Sequence, residues 1–170
     1  MIDIVIAEEP DDVTEVAWLF REYEAWHTDK QCFVGFDKEL ALLPRPYVMP
    51  AGVLLLAKVG EGERPAGCIA LSRIDDERCE MRRLYVRPAF RGQGVGRALV
   101  MAVAGYAAEL GYRALRLQTL PTMEEALGLY NSMGFAPIPT PSDKRAPGRL
   151  HLELPLPAAP AEDTDLRVIA

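Results

Sequence analysis

The chain has 170 residues, of which 49% are hydrophobic and 26% are charged, and its formal net charge is −6 at pH 7. This length and composition are typical of one globular domain with its own buried core. The negative charge argues against a nucleic-acid partner bound through bulk electrostatics. No run of about 20 apolar residues is present, and the first residues lack the basic and apolar regions of a leader peptide. We therefore expect neither a nucleic-acid partner nor a membrane partner.

The three cysteines, Cys32, Cys68 and Cys79, are odd in number and show no C-x-x-C spacing. This pattern predicts neither a disulfide framework nor a zinc site. We expect free thiols, no metal, and a cytoplasmic location, where thiols stay reduced.

The first third of the chain is predicted to form a strand, a helix and a long connection. Ile2–Ile6 alternates as a strand does, and residues 12–27 have one apolar stripe that predicts an amphipathic helix. Asp12 and Glu15 have the spacing of a capping box for that helix. Residues 29–50 are rich in aromatic side chains, which suits either a binding wall or lid, or a cover for one face of the sheet. Four candidate substrate-binding residues come from this connection and the end of the helix before it: Trp26, Phe33, Phe36 and Tyr47.

The rest of the chain alternates between strands and helices. Apolar strands at 52–59, 66–74 and 78–86, joined by tight polar turns, predict an antiparallel meander. A helix with apolar residues at three- and four-residue steps follows, ends near Gly111, and leads to a strand at 113–119. The last predicted elements are a helix that begins at a second capping box, Thr122 with Glu125, and a pair of strands at 135–139 and 150–156. This order places the long helix before Gly111 between a meander strand and a parallel crossover strand.

A glycine-rich stretch joins the third meander strand to the helix that follows it. Its sequence is Arg91-Gly92-Gln93-Gly94-Val95-Gly96-Arg97. The first N–H groups of a helix have no partner within the helix, and glycine lets a ligand approach them. The stretch therefore predicts a cradle for a phosphate-type anion, with a plain glycine-rich turn as the alternative. It matches neither the Gly-Lys-Ser/Thr end of a Walker loop nor the Gly-x-Gly-x-x-Gly of a dinucleotide site.

The remaining pattern, Arg-x-x-Gly-x-Gly from Arg91 to Gly96, resembles the pyrophosphate-binding motif of the GCN5-related N-acetyltransferase (GNAT) family. Residues 80–88 and the Leu-Tyr-x-x-x-Gly-Phe element at 129–135 resemble the same family in the same order. The resemblance covers about residues 52–155. It implies an α/β (α+β) fold with a mixed, mostly antiparallel sheet of six or seven strands, about four helices, and a splayed V between the fourth and fifth strands. We expect a single acetyltransferase domain at 1–157 and a weakly structured tail at 158–170.

The resemblance also implies a reaction: direct transfer of the acetyl group of acetyl-CoA to an amine, on a small molecule or a peptide, in a ternary complex. It implies a bulge that splays the strand before the cradle, so that freed backbone groups of Leu84, Tyr85 and Val86 hold the cofactor arm and the reacting carbonyl. The diphosphate would lie on the cradle residues, namely Arg91, Gly92, Gln93, Gly94, Val95, Gly96 and Arg97. One departure is Met123, which stands where many members have a cofactor-binding Asn.

Two residues are candidates for proton transfer. A primary amine with a pKa of about 10 is neutral in only about one molecule in a thousand at pH 7, so deprotonation costs about 4 kcal/mol. By family position Glu80 is the candidate base, acting through water, and an ion pair with Arg82 or another strand arginine is its structural alternative. Tyr130 is the candidate acid for the departing thiolate, and a core aromatic is its alternative. His27 is better explained as a solvated or helix-terminal residue than as a catalyst.

Two other functions stay open: a CoA-binding sensor or scaffold without turnover, and an acyltransferase that uses a longer acyl-CoA. We expect residues 26–50 and the loop at 140–148 to set the acceptor. Apolar terminal strands make a homodimer plausible.

Overall fold

The computed structural model describes residues 1–139 and 148–157. The predicted tail at 158–170 and most of the loop at 140–148 lie outside the described residues. The strands are β1 (Ile2–Ile6), β2 (Val53–Val59), β3 (Arg64–Arg73), β4 (Arg78–Val86), β5 (Ala114–Thr119), β6 (Ala136–Pro137) and β7 (Leu150–Pro155). The helices are α1 (Pro10–Trp26), α2 (Phe36–Leu42), α3 (Val95–Glu109) and α4 (Glu124–Ser132), with short 3-10 turns at Lys30–Phe33 and Pro88–Phe90.

The strands form one sheet in the order β1-β2-β3-β4-β5-β7-β6. Every neighbouring pair is antiparallel except β4 and β5, which run parallel. These two strands pair only from Arg78 to Glu80 on β4, opposite Ala114 to Arg116 on β5, and beyond that point they separate. The predicted fold is therefore confirmed, including the opening between the fourth and fifth strands.

Helices cover both faces of the sheet. Helices α3 and α4 lie on one face, where Leu99, Val103 and Tyr130 join the larger core cluster. Helices α1 and α2 lie on the other face, with a second cluster that includes Phe20 and Phe36. Because β2 is covered on both sides, its first five residues are all buried, which explains its continuous apolar sequence.

A β-bulge in β4 changes which side chains face α1 and α2. Cys68 of β3 pairs with Tyr85, whereas Ala70 pairs with Arg82, so one residue of β3 opposes two residues of β4. One of the two is Arg83, whose φ of +60° lies in the left-handed region. The extra residue shifts the alternation by one position. As a result Arg83 and Tyr85 are buried on the α1 face, although Met81 is buried on the α3 face.

Both predicted capping boxes are wrong. Helix α1 begins at Pro10, with Glu9 at the N-cap and no side-chain cap. Proline suits this first helical position because it has no N–H to leave unpaired and its φ is already helical. Helix α4 has Met123 at its N-cap, also without a side-chain cap, because the preceding residues form a turn closed by the Met123 N–H and the Leu120 carbonyl.

Candidate functional site

The predicted anion cradle lies at the N-terminus of α3. Gly92 and Gly94 have φ values of +75° and +85°, which non-glycine residues adopt only with strain. The first hydrogen bond of the helix runs from the Ala98 N–H to the Gly94 carbonyl, and no side chain caps the helix. The preceding N–H groups therefore have no acceptor within the helix, and the positive end of its dipole adds to their attraction for an anion.

Side chains of the cradle tie it to its neighbours. Arg91 donates from Nε to the Val86 carbonyl at 2.9 Å, and its guanidinium lies 5.0 Å from the Trp26 ring centroid. Arg97 donates to Ser132 Oγ at 2.7 Å, which links the start of α3 to the end of α4. Gly96 faces α4, where an added Cβ would lie 3.6 Å from Leu129. The cradle is thus anchored to β4 and to α4.

A cavity of about 840 Å³ extends from the cradle along the open edge of β4. One wall consists of Leu84, Tyr85, Val86 and Arg91. The opposite wall consists of Trp26 and residues between 120 and 126. Because β5 has already separated, β4 has no strand partner on this side along Leu84 to Val86 among residues 1–139 and 148–157. An extended chain with hydrogen-bonding groups could add to such an edge as a further strand.

A second cavity, of about 360 Å³, lies where β4 and β5 separate and is lined by residues from both faces of the sheet. The candidate base and the candidate acid, Glu80 and Tyr130, both line it. The two cavities share a junction of five residues, which we call the cavity junction: His27, Leu84, Leu120, Met123 and Ala126. We call the first cavity the cofactor cavity and the second the acceptor cavity.

A chain of polar side chains crosses the acceptor cavity and orients Glu80. Gln118 donates from Nε2 to Glu80 Oε1 at 3.1 Å and accepts from Arg149 Nη1 at 3.3 Å. Arg149 in turn donates to Asp29 Oδ2 at 3.0 and 3.2 Å. Within residues 1–139 and 148–157, Glu80 forms no ion pair, so the predicted alternative of a pair with Arg82 is not what the structure shows.

Two tyrosines of the acceptor cavity are held in their protonated form. Tyr130 is buried against Phe135, with ring centroids 5.7 Å apart, and burial raises the pKa of its hydroxyl well above its usual range. Tyr23 of α1 stacks on Tyr85 at 5.6 Å, and burial together with Tyr130 raises its pKa too. Both hydroxyls are therefore available as proton or hydrogen-bond donors at neutral pH.

The four candidate substrate-binding residues lie in different places. Trp26 is 49% exposed and lines the cofactor cavity, not the acceptor cavity. Phe33 and Phe36 are buried under the guanidinium of Arg83, at 4.5 and 5.5 Å. Tyr47 is 1% exposed within the same core. In the described part of the chain these three side chains pack behind the cavity walls, so their contact with a substrate stays a prediction.

Sequence reasoning missed several residues that line the acceptor cavity, among them Tyr23, Gln118 and Arg149. Asp29 and Arg149 are 120 residues apart, and only the folded sheet brings them together. The one sequence indication for Gln118 was its position in β5, the strand that pairs with the segment of β4 ending at Glu80. Without a strand register the sequence offers no way to recognise that pairing.

Two other features, a metal site and a membrane-spanning helix, were looked for among the described residues. These residues contain no group of three or more His, Cys, Asp or Glu side chains placed to hold a metal ion. No helix among them combines the length and the apolar character that a membrane crossing requires.

Comparisons with known proteins agree with this architecture. Residues 9–135 match the acetyltransferase (GNAT) family, so the chain belongs to that family. It is 37% identical over 135 residues to an uncharacterised N-acetyltransferase of Schizosaccharomyces pombe, covering 79% of this chain and 82% of the relative.

Two solved structures share the fold. A GNAT-family acetyltransferase from Staphylococcus aureus superposes with a TM-score of 0.74 at 19% identity, covering 92% of this chain and 100% of that one. The PaiA N-acetyltransferase from Thermoplasma acidophilum, solved in complex with coenzyme A, gives a TM-score of 0.70 at 18% identity, covering 91% and 99%.

Proposed function

We propose that this chain transfers the acetyl group of acetyl-CoA directly to an amine, in a complex that holds both substrates. The observation that supports this most is the pair of joined cavities at the opening between β4 and β5. One includes Arg91, which shortly precedes the uncapped N-terminus of α3, and the other contains a carboxylate and a buried phenol. The relatives named as N-acetyltransferases point to the same reaction.

The cofactor cavity and the adjoining cradle together suit the two distinctive parts of coenzyme A. The free N–H groups at the start of α3 suit a diphosphate, since they lie at the positive end of the helix and Gly92 and Gly94 place no side chain over them. The unpaired edge of β4 suits the amide-bearing arm. The cofactor-binding residues of this proposal are the cradle, Arg91 to Arg97, and the strand edge, Leu84 to Val86.

Acetyl-CoA supplies a thioester: the amine nitrogen forms a bond to its carbonyl carbon, the carbon–sulfur bond breaks, and the sulfur leaves with a proton. Glu80, oriented by Gln118, accepts the amine proton through water. Tyr130, whose hydroxyl is protonated at neutral pH, gives the sulfur its proton as the carbon–sulfur bond breaks and regains one from water when the products leave.

A covalent acyl-cysteine route is disfavoured by the state of the thiols. Burial raises the pKa of Cys32, Cys68 and Cys79, the last to about 12. The thiolate is the nucleophilic form of cysteine, so these thiols are poor nucleophiles at neutral pH. Direct attack by the amine is consistent with this chemistry.

The test is calorimetry with coenzyme A and acetyl-CoA, followed by thiol release with polyamines, aminoglycosides, amino acids and peptides as acceptors. We expect binding by the wild-type chain and turnover with at least one class of amine. The Tyr130→Phe variant should bind coenzyme A normally but turn over more slowly. Binding without turnover on any amine would instead favour a coenzyme A sensor, and no binding would overturn the proposal.

A further inference from the structure

The cavity junction contains one strongly polar side chain, that of His27. The other four junction residues are Leu84, Leu120, Met123 and Ala126, whose side chains are apolar. If the cofactor lies in one cavity and the amine in the other, as proposed above, the reacting carbonyl lies where the cavities meet. An apolar junction strengthens any hydrogen bond made there, because few competing dipoles or water molecules surround it.

The structure fixes both the orientation and the proton of His27. The side chain is buried, with T-shaped contacts to Tyr23 at 5.1 Å and to Phe33 at 5.5 Å between ring centroids. The Asp29 backbone N–H donates to Nδ1 at 3.0 Å. A nitrogen that accepts a hydrogen bond has no proton, so the proton of the neutral ring is on Nε2.

The ring is in its neutral form at neutral pH. Burial lowers the pKa of His27 below its usual range, although the Asp29 carboxylate opposes this effect. Neutral imidazole with a fixed tautomer is a hydrogen-bond donor at Nε2 and cannot act there as a base. This chemistry differs from that of Glu80 and does not duplicate its role.

We propose that His27 is a further catalytic residue, whose Nε2–H donates a hydrogen bond to the carbonyl oxygen of the acetyl group at the cavity junction. The inference rests on the proposed function. Negative charge grows on that oxygen as the amine adds, so the hydrogen bond becomes stronger in the transition state than in the bound substrate. The histidine keeps its proton throughout.

A pair of substitutions separates this role from a purely structural one. In His27→Asn the amide oxygen replaces Nδ1, which keeps the acceptor for the Asp29 N–H and removes the donor. In His27→Gln the amide nitrogen replaces Nε2, which keeps the donor and removes the acceptor. A donor role predicts that His27→Asn is the damaging change, whereas a structural role predicts that His27→Gln is.

The measurement is the infrared carbonyl band of acetyl-CoA labelled with ¹³C at the carbonyl, bound to each protein, with affinity followed by calorimetry. We expect a lower frequency on the wild-type chain and on His27→Gln than on His27→Asn, at similar affinity. With an acceptor from the amine panel, His27→Asn should lower kcat by about 100- to 1,000-fold. Equal frequencies on the wild-type chain and His27→Asn would overturn the inference.

A measurement on the wild-type chain alone guards against variants that fail to fold. The ¹⁵N spectrum of His27 should show the Nε2-protonated neutral ring, and its Nε2 signal should move with acetyl-CoA but not with coenzyme A, which has no acetyl carbonyl. Identical spectra with the two ligands would overturn the role of His27 alone. Absence of any binding would overturn the proposed function and this inference with it.

Discussion

Arg83 of β4 donates two hydrogen bonds, each 2.9 Å long, to the carboxylate of Glu39 on α2. The arginine side chain is 4% exposed and the glutamate side chain 14% exposed, so both charges are largely removed from water. Arg83 is also the left-handed residue of the β-bulge, and it lies over the rings of Phe33 and Phe36. The ion pair thus joins the bulge, just before Leu84, to helix α2.

The stability of this contact is the first prediction. Glu39→Ala leaves the Arg83 charge buried without a partner, which should lower the free energy of unfolding by about 3 kcal/mol or more. The matched control is Asp76→Ala, which removes the partner of Arg73 in an exposed pair whose Asp76 is 93% exposed. Its cost should stay below about 1 kcal/mol. Urea denaturation measures both, and equal losses in the two variants would contradict the prediction.

The same pair predicts a dependence of stability on pH. Burial alone would raise the pKa of Glu39, but the hydrogen bonds and charge of Arg83 outweigh it, so the pKa is lowered. The unfolded chain then binds the proton at a higher pH than the folded chain does. The contribution of Glu39 is therefore complete above the usual carboxyl pKa of about 4.3 and is lost as the pH falls through the lower folded value.

The measurement is the free energy of unfolding of the wild-type chain and of Glu39→Gln between pH 7 and pH 3. Because Gln resembles the protonated acid, the difference between the two proteins should be largest near pH 7 and shrink below about pH 4. A difference that stays constant across this range would show that the charge of Glu39 contributes nothing.

The fold could be predicted from the sequence because local patterns repeat over many residues. Ile2–Ile6 and Arg78–Val86 were predicted with the bounds that the structure shows, since strand alternation and flanking turns define them. The helix before Gly111 ends as predicted, with Gly111 at a φ of +92°. The predicted helix starts were less accurate. A capping pattern can also occur within the first turn of a helix, and Asp12 lies in the first turn of α1.

The site could be predicted only where a motif marks it. The cradle has its glycines, whereas the bulge in β4 was expected from the family resemblance alone; no residue type indicates its position at Arg83, because the register against β3 determines it and the residue is not glycine. His27 was expected to be solvated or helix-terminal: it is the C-cap of α1, but it is buried, with the Asp29 N–H of the following turn bonded to its ring. Contacts between distant segments, such as Asp29 with Arg149, depend on the completed fold.

The cradle yields a prediction with an internal control. Gly94→Ala imposes a side chain on a left-handed residue, which should cost about 1–2 kcal/mol of stability and weaken coenzyme A binding as the loop shifts. Gly105 lies in the interior of the same helix, with nothing within 4 Å of an added Cβ. Gly105→Ala should therefore stabilise the protein by about 0.5–1 kcal/mol and leave binding unchanged. Calorimetry that showed equal affinity in both variants would argue against the cradle.

The final prediction concerns Glu80 and the neutral form of the amine. If Glu80 takes the amine proton, Glu80→Gln should lower kcat/KM for the best acceptor by about 100-fold or more at pH 7. The deficit should shrink towards pH 10, where a primary amine with a pKa of about 10 loses its proton unaided. Glu77→Gln is the control, because it removes the same charge from an exposed turn outside both cavities. A deficit of constant size from pH 7 to pH 10 would instead assign Glu80 a role in orienting the acceptor through Gln118.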